Sequence, residues 1–577
     1  MKKAFITGVN GQNRFYHWLV WGIAATLTIA APLFNAWFGF PFPAPSEGVH
    51  SAIGGVIPYS DAEGYLSGAH HFNASGFLDT WNMRRPLNAL FFSFRLKVAN
   101  GNFWYAMAIQ AGLCMIALTL YLRTLRQDIG LLATSISLVF CYYYLQVYVH
   151  TTLSETLGLT LGLLSFVLVW NGYIQKDRFV FNAGMASLAV ALCARAGPNF
   201  IIPALFLLVY LDPFTKSRFK DLTFSILSFV VPFLMMNKLS TFFGEPTGSG
   251  MAFSNFGATL YGLVSGGKSW TYAYQDPHIQ SLITGKSEAQ EAKILYRESW
   301  NVFKNNPLSL INGMRSYLGG FLIWFVRQLS FGEGIVRALS TIVAIIFLIF
   351  LGVRVFIKRH LFNREFLFLI LVFTGIAASA MVVFKDGGML TFAVAIPFMA
   401  ALFGLSFASQ ANLKERKTPE NILAICTVLF IVLSSILSSF VPFGMKAPDI
   451  SALKKRKVPG QEIFLTYNPK KQPHLLIDAA SGFHFRAISP STIRKAWIVY
   501  SWSDSSIAQD LRNTANQFKN NNLVLLHIYD YISQSNRWVL SENHILDLES
   551  EWVEIQASFF SPDFKRIYVA NSFMGIP

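Results

Sequence analysis

The sequence predicts a polytopic α-helical membrane protein with a soluble α+β or mainly β domain at its C-terminus. Three observations carry that expectation. The chain of 577 residues is 53% hydrophobic and 15% aromatic but only 14% charged, and its mean hydropathy is +0.42, a membrane composition. Apolar runs near the ~20 residues that cross a bilayer recur through residue 442. From there the chain turns more polar and breaks into short alternating runs. The expected division is therefore a membrane part, 1–442, and a C-terminal domain, 443–577.

About eleven spans are expected, at 17–37, 103–122, 129–147, 153–173, 180–194, 198–211, 222–242, 335–353, 364–384, 389–409 and 420–442. The positive-inside rule supports the count. With the N-terminus inside, the inner connections are RTLRQD (123–128), QKDR (175–178), KSRFK (216–220), RVFIKRH (354–360) and KERK (414–417), all short and basic. The outer side then receives two large loops, 38–102 and 243–334, three short ones and the C-terminal domain. This pattern requires that RSYLGGFLIWFVRQ (315–328) not cross, so it is expected to be interfacial or re-entrant.

The asymmetry, together with anionic headgroups, accounts for much of the formal charge of +16, so the basic balance does not point to nucleic acid. The four cysteines, Cys114, Cys141, Cys193 and Cys426, lie in apolar runs without CxxC spacing and read as packing residues. Two motif matches fail on context. MKKAFITGVNGQ imitates a nucleotide-binding strand and turn, but an apolar span follows it. GLVSGGKS, Gly262 to Ser269, fits the phosphate-loop pattern, but in an outer loop with no second nucleotide motif.

Charge is scarce in mid-span, where an ion-coupled transporter would need it. Ionisable residues gather instead at the outer span ends: Asp61, Glu63, Asp79, Arg84 and Arg85 in the first outer loop, then Glu155, Arg195, Lys385 and Asp386. Carboxylates and cations at a headgroup surface suit transfer of a sugar from a polyprenyl phosphate. A carboxylate takes the proton of the acceptor hydroxyl while cations stabilise the departing phosphate. Asp61 would be the base and Glu63 its neighbour. Both could also serve a helix start, Ser60 as N-cap and Glu63 as the acid of a capping box in SDAE.

The motifs SDAEGY, WNMRRPLNALFFSF, HTTLSETLGLTLGLL, ARAGPNFIIPALFLL and KDGGMLTFAVAIPF, in this order and at the outer side, resemble the GT-C superfamily of lipid-phosphate-sugar-dependent glycosyltransferases over most of residues 15–442. The resemblance implies a catalytic aspartate in the first outer loop, matched by Asp61, with Glu63 similar to a secondary acidic residue of some branches. It implies a lipid-linked donor entering from the bilayer. Where many members carry an arginine near the last outer turn, this chain offers Lys385. It also implies a bacterial inner-membrane location, with the site and C-terminal domain in the periplasm. No cofactor is required on this reading, although some branches use a divalent cation such as Mg, Mn or Ca, which Asp61 and Glu63 could hold.

The remaining candidates have structural competitors. Arg84 or Arg85 could meet the donor phosphate or anchor an interfacial helix. Glu155 could act in the site or serve the helix dipole. Arg195, costly at its depth, favours a pairing. His70 and His71 point to different helix faces and form no compact ligand set. In the long outer loop, Trp270, Tyr272 and Tyr274 suit a sugar ring or the membrane interface, and Lys268 could meet a phosphate. Expected partners are a polyprenyl-phosphate sugar, a glycan, lipid or protein acceptor, and membrane lipids. A polymerase or ligase acting on a lipid-linked oligosaccharide is the enzymatic alternative, and a lipid-linked saccharide transporter the alternative of another class.

Overall fold

The computed structural model describes residues 11–38, 52–53, 57–58, 61–245, 254–329, 334–358 and 363–408, and in the C-terminal region 461–467, 483–488, 523–530, 535–542, 552–559, 567–576 and a few single positions. Helix dominates up to residue 408. In chain order come α1 (Gly11–Phe38), the strand pair β1 (Ala52–Ile53) and β2 (Ile57–Pro58), α2 (Asp61–Ser75), α3 (Pro86–Val98), α4 (Phe103–Ile129), α5 (Leu131–Tyr148), α6 (Ser154–Ile174), α7 (Arg178–Ala194), α8 (Ile201–Leu211) and α9 (Arg218–Phe243). Three shorter helices follow, α10 (Phe256–Val264), α11 (Pro277–Ile283) and α12 (Glu288–Asn305), and then α13 (Pro307–Leu329), α14 (Gly334–Lys358), α15 (Asn363–Gly387) and α16 (Ile396–Leu405).

Each of the first ten expected spans overlaps helix among the described residues, and 420–442 lies outside them. Five helical stretches among the described residues are long and apolar enough to cross a membrane: Phe103–Ile129, Leu131–Tyr148, Ser154–Ile174, Arg218–Phe243 and the run Arg364–Leu405. On α9, Leu227, Val231, Leu234 and Met235 are 49–62% exposed, the surface that lipid would cover.

Local chemistry sets the boundaries. Asn102 caps α4 by accepting from the N–H of Tyr105 at 3.0 Å. Gly130, with φ of 89°, makes the one-residue break between α4 and α5. Asp177 caps α7 through the N–H groups of Phe179 and Val180. Glycines then let the helices close. A Cβ on Gly184 would stand 2.5 Å from the Val169 nitrogen, and one on Gly162 would stand 2.6 Å from the Val394 carbonyl. Aromatic rings fill the centre: Phe166 meets Tyr121, Trp170 and Phe398 at centroid distances of 5.0, 5.3 and 5.1 Å.

Among the described residues, the basic connections at 123–128, 175–178 and 216–220 gather with the start of α15 at one end of the bundle, and 414–417 lies outside the described residues. Asp212 receives Lys176 and Arg364, the latter at 3.0 Å, and Asp128 accepts from the Trp170 indole at 2.5 Å. Glu155 and Arg195 lie at the other end, at the start of α6 and the end of α7.

Residues 315–328 show no chain reversal, which removes the re-entrant alternative and leaves the interfacial one. The segment lies within the unbroken helix α13, which runs along α15 and buries Tyr317, Phe321 and Phe325 in the main core. Phe321 packs on Phe384 and Phe325 on Phe403. One stripe of the helix packs in the core, while Ile311, Leu322 and Ile323 of the same helix stay 50–59% exposed.

Cys114, Cys141 and Cys193 are buried free thiols, and Cys426 lies outside the described residues. In the C-terminal region β3 (Glu462–Tyr467), β4 (Phe483–Ile488), β5 (Leu523–Asp530), β6 (Ser535–Glu542), β7 (Trp552–Phe559) and β8 (Ile567–Ile576) form a sheet of order β3-β7-β8-β6-β5-β4. Only the β6–β8 pair is parallel within it. Val524, Leu526 and Ile528 alternate onto its buried face, as the period of the sequence predicts. Residues 512–514 and 516 are helical.

Candidate functional site

Two adjoining cavities lie at the end of the bundle opposite the basic connections. One, of about 450 Å³, is lined by Ile202, Pro203, Phe229, Phe233, Phe256 and Val383 among others, a largely apolar wall from α8, α9, α10 and α15. The other, of about 230 Å³, is lined by Asp61, Tyr65, Trp81, Arg84, Trp270, Tyr274, Glu288 and Glu291 among others. Arg85, Arg195, Asn255 and Asp386 line both, so the chambers meet at two guanidiniums, an amide and a carboxylate.

Asp61 is exposed in the first turn of α2. That turn is held from two sides. The Thr152 hydroxyl donates to the Ala62 carbonyl at 2.6 Å. The Asn82 amide donates to the Gly64 carbonyl at 3.0 Å, and Asn82 is itself fixed by Asp79, at 2.7 Å to its amide and 3.0 Å to its N–H. Close packing adds to the clamp, since a Cβ on Gly68 would stand 1.8 Å from the Asn82 amide nitrogen. Asp79 therefore supports Asp61 at a distance and lines neither cavity. Ser60, the expected N-cap, lies outside the described residues.

Arg195 ends α7. It pairs with Glu155 at 2.9 Å, the two side chains being 9% and 2% exposed. It also donates to the Leu390 carbonyl at 3.1 Å. Glu155, in the first turn of α6, lines neither cavity and acts through Arg195. Arg84 pairs with Glu288 at 2.6 Å, whereas Arg85 donates to the Tyr65 hydroxyl at 3.2 Å. Asp386 accepts from the Thr259 hydroxyl at 2.9 Å.

The other candidates lie elsewhere. Glu63 lines neither cavity. Two positions apart on a helix, it and Asp61 point to different faces, so the pair is a poor divalent-cation site. No group of three His, Cys, Asp or Glu placed to hold a metal occurs among the described residues. Lys385 bonds the Gly267 carbonyl and, at 2.8 Å, the Ser316 hydroxyl, tying α15 to the outer loop. Its neighbour Asp386 faces the cavity instead. Lys268 stands 3.7 Å from the Tyr272 ring centroid. The phosphate-loop look-alike is the end of α10 and a turn with φ of 87° at Gly266 and 84° at Gly267, packed on Gly313 of α13. His71 pairs with Glu245 at 2.8 Å.

Sequence reasoning put Asp61, Arg84, Arg85, Arg195 and Trp270 on lining positions. It missed Tyr65, Trp81, Asn255, Glu288 and Glu291. A signal existed for the last two. Ala292, Leu295 and Ser299 are buried on α12, and their helical spacing carries Glu288 and Glu291 onto the same inward stripe. Burial and the charge of Glu288, opposed by Arg84, push the Glu291 carboxyl above its ordinary range.

These features define a helical protein with a two-chambered, partly charged cavity at one end. No protein-family model matches this chain, and no curated protein does. Among solved structures, the crystal structure of ArnT from Cupriavidus metallidurans in the apo state aligns with a TM-score of 0.29 at 13% identity, covering 69% of this chain and 78% of that one. The same protein bound to undecaprenyl phosphate aligns with a TM-score of 0.29 at 12% identity, over 80% and 94%. Similarity at that level defines neither a family nor an activity.

Proposed function

We propose that this chain is an integral-membrane glycosyltransferase of the GT-C type, which moves a sugar from a polyprenyl phosphate to an acceptor hydroxyl. The observation that carries this reading is the junction of the two chambers. An apolar chamber beside the poorly packed helix α9 suits the first isoprenoid units of a lipid. The second chamber holds Asp61, and Arg85 and Arg195 stand where the chambers meet.

In this reaction Asp61 takes the proton of the acceptor hydroxyl. The acceptor oxygen bonds to the anomeric carbon as the bond from that carbon to the phosphate oxygen breaks. The electron pair leaves with polyprenyl phosphate, and a single displacement inverts the anomeric centre. Arg85 serves the departing phosphate best, because Glu155 already neutralises Arg195. Such a reaction suits the outer face of a bacterial inner membrane, where no nucleotide is needed.

Binding of undecaprenyl phosphate to the full chain in detergent, followed by native mass spectrometry, tests the reading. Saturable binding weakened at least tenfold in Arg85→Ala is expected, about the worth of one charge-assisted hydrogen bond. Binding that ignores Arg85, or no binding, would remove the donor assignment.

A further inference from the structure

Resting on that reading, we propose that the acceptor is a neutral carbohydrate, seated on Trp270 and Tyr274 with a hydroxyl bonded to Glu291, rather than a phosphate-bearing molecule. The charges around the Asp61 chamber favour this. Its lining holds the carboxylates Asp61, Glu288, Glu291 and Asp386 and the guanidiniums Arg84, Arg85 and Arg195. Glu288 engages Arg84 at 2.6 Å, and Glu155 engages Arg195 at 2.9 Å from outside the lining. The donor phosphate takes Arg85. An acceptor phosphate would then meet Asp61, Glu291 and Asp386 with no unengaged cation among the lining residues.

The rings point the same way. Trp270 and Tyr274 line the chamber yet are each 41% exposed, with centroids 6.0 Å apart and planes at 78°. Tyr65 and Trp81 add a second aromatic pair, at 4.9 Å, from the first outer loop. Aromatic faces are electron-rich and disfavour an anion, while the C–H face of a sugar ring packs on them. A general base is also useful only toward an un-ionised hydroxyl, since a phosphate oxygen is already deprotonated. The Glu291 carboxylate on the chamber wall can accept from sugar hydroxyls.

The test is retention of the full chain in detergent on immobilised trisaccharides of glucose, galactose, mannose and N-acetylglucosamine, beside their phosphorylated counterparts. Undecaprenyl phosphate binding is measured in parallel. Neutral glycans should be retained saturably, and Trp270→Ala and Glu291→Gln should each weaken retention at least tenfold. Trp270→Phe should largely restore it, and undecaprenyl phosphate should bind equally to all variants. Preference for phosphorylated glycans, indifference to these substitutions, or no retention of any neutral glycan would overturn the proposal. Glycan retention without undecaprenyl phosphate binding would sink the donor reading and leave Trp270 and Glu291 as a carbohydrate site.

Discussion

Removing one partner of the Glu155–Arg195 pair should damage the fold far more than removing both. The ion pair is 2.9 Å long and nearly fully buried, and Arg195 also holds the Leu390 carbonyl of the segment between α15 and α16. Glu155→Leu leaves a guanidinium buried without its counter-charge, and Arg195→Met does the same to the carboxylate. Each should cost about 3–5 kcal/mol, whereas the double variant should recover to within about 1–2 kcal/mol of the parent. Equilibrium unfolding by SDS in mixed micelles yields the four free energies of the double-mutant cycle. A coupling of at least about 4 kcal/mol, the two single costs less that of the double variant, is expected. Additive effects, or single variants within about 1 kcal/mol of the parent, would show that the pair is not desolvated in the way its burial implies. The recovered double variant should still lose transfer, because Arg195 lines both chambers.

Gly68→Ala places a methyl 1.8 Å from the Asn82 amide nitrogen, so it should cost about 1–3 kcal/mol and lower kcat by displacing Asp61, read by thermal unfolding and turnover together. Asp276 caps α11, and although burial opposes it, hydrogen bonds from the Tyr261 hydroxyl and the His278 and Ile279 N–H groups hold its carboxyl below the ordinary value. Its stabilisation is therefore present above the unfolded carboxylate range and lost as pH falls through the lowered value. Asp276→Ala should cost about 1 kcal/mol and speed amide exchange in α11 at neutral pH. Glu291 behaves oppositely: its raised carboxyl makes stability fall as pH rises from the ordinary carboxylate range through the raised value. Glu291→Gln should flatten that slope in a series of unfolding curves.

The bundle was legible because apolar runs and their caps are local properties. The apolar runs and the short basic loops between them can be read from short windows, whereas the break at Gly130 fell inside an expected span, 129–147. The packing partners of 315–328 were not legible. Whether an apolar helix lies on a surface or against α15 depends on partners more than fifty residues away, such as Phe384 and Phe403. The site divides in the same way. Asp61 and the arginines were visible as rare charges at span ends. Lys385 was favoured over its neighbour Asp386, and the helix rotation at the end of α15 sends Lys385 to the Gly267 carbonyl and Asp386 to the cavity. Asp79 was charged and near, yet it is spent on Asn82. Glu288 and Glu291 lie in the helical half of the long outer loop, whereas the sequence reading singled out its aromatic half, and α12 brings them to the chamber wall.

The most direct test of the account is sugar transfer from a panel of polyprenyl-phosphate sugars to a cell-envelope acceptor extract, comparing the parent protein with Asp61→Asn. The account predicts transfer by the parent and a loss of about 10²–10⁴-fold in a variant that unfolds at the same temperature, the usual range for a general base. Equal transfer by the two proteins would contradict it and return Asp61 to the role of a helix-start acid.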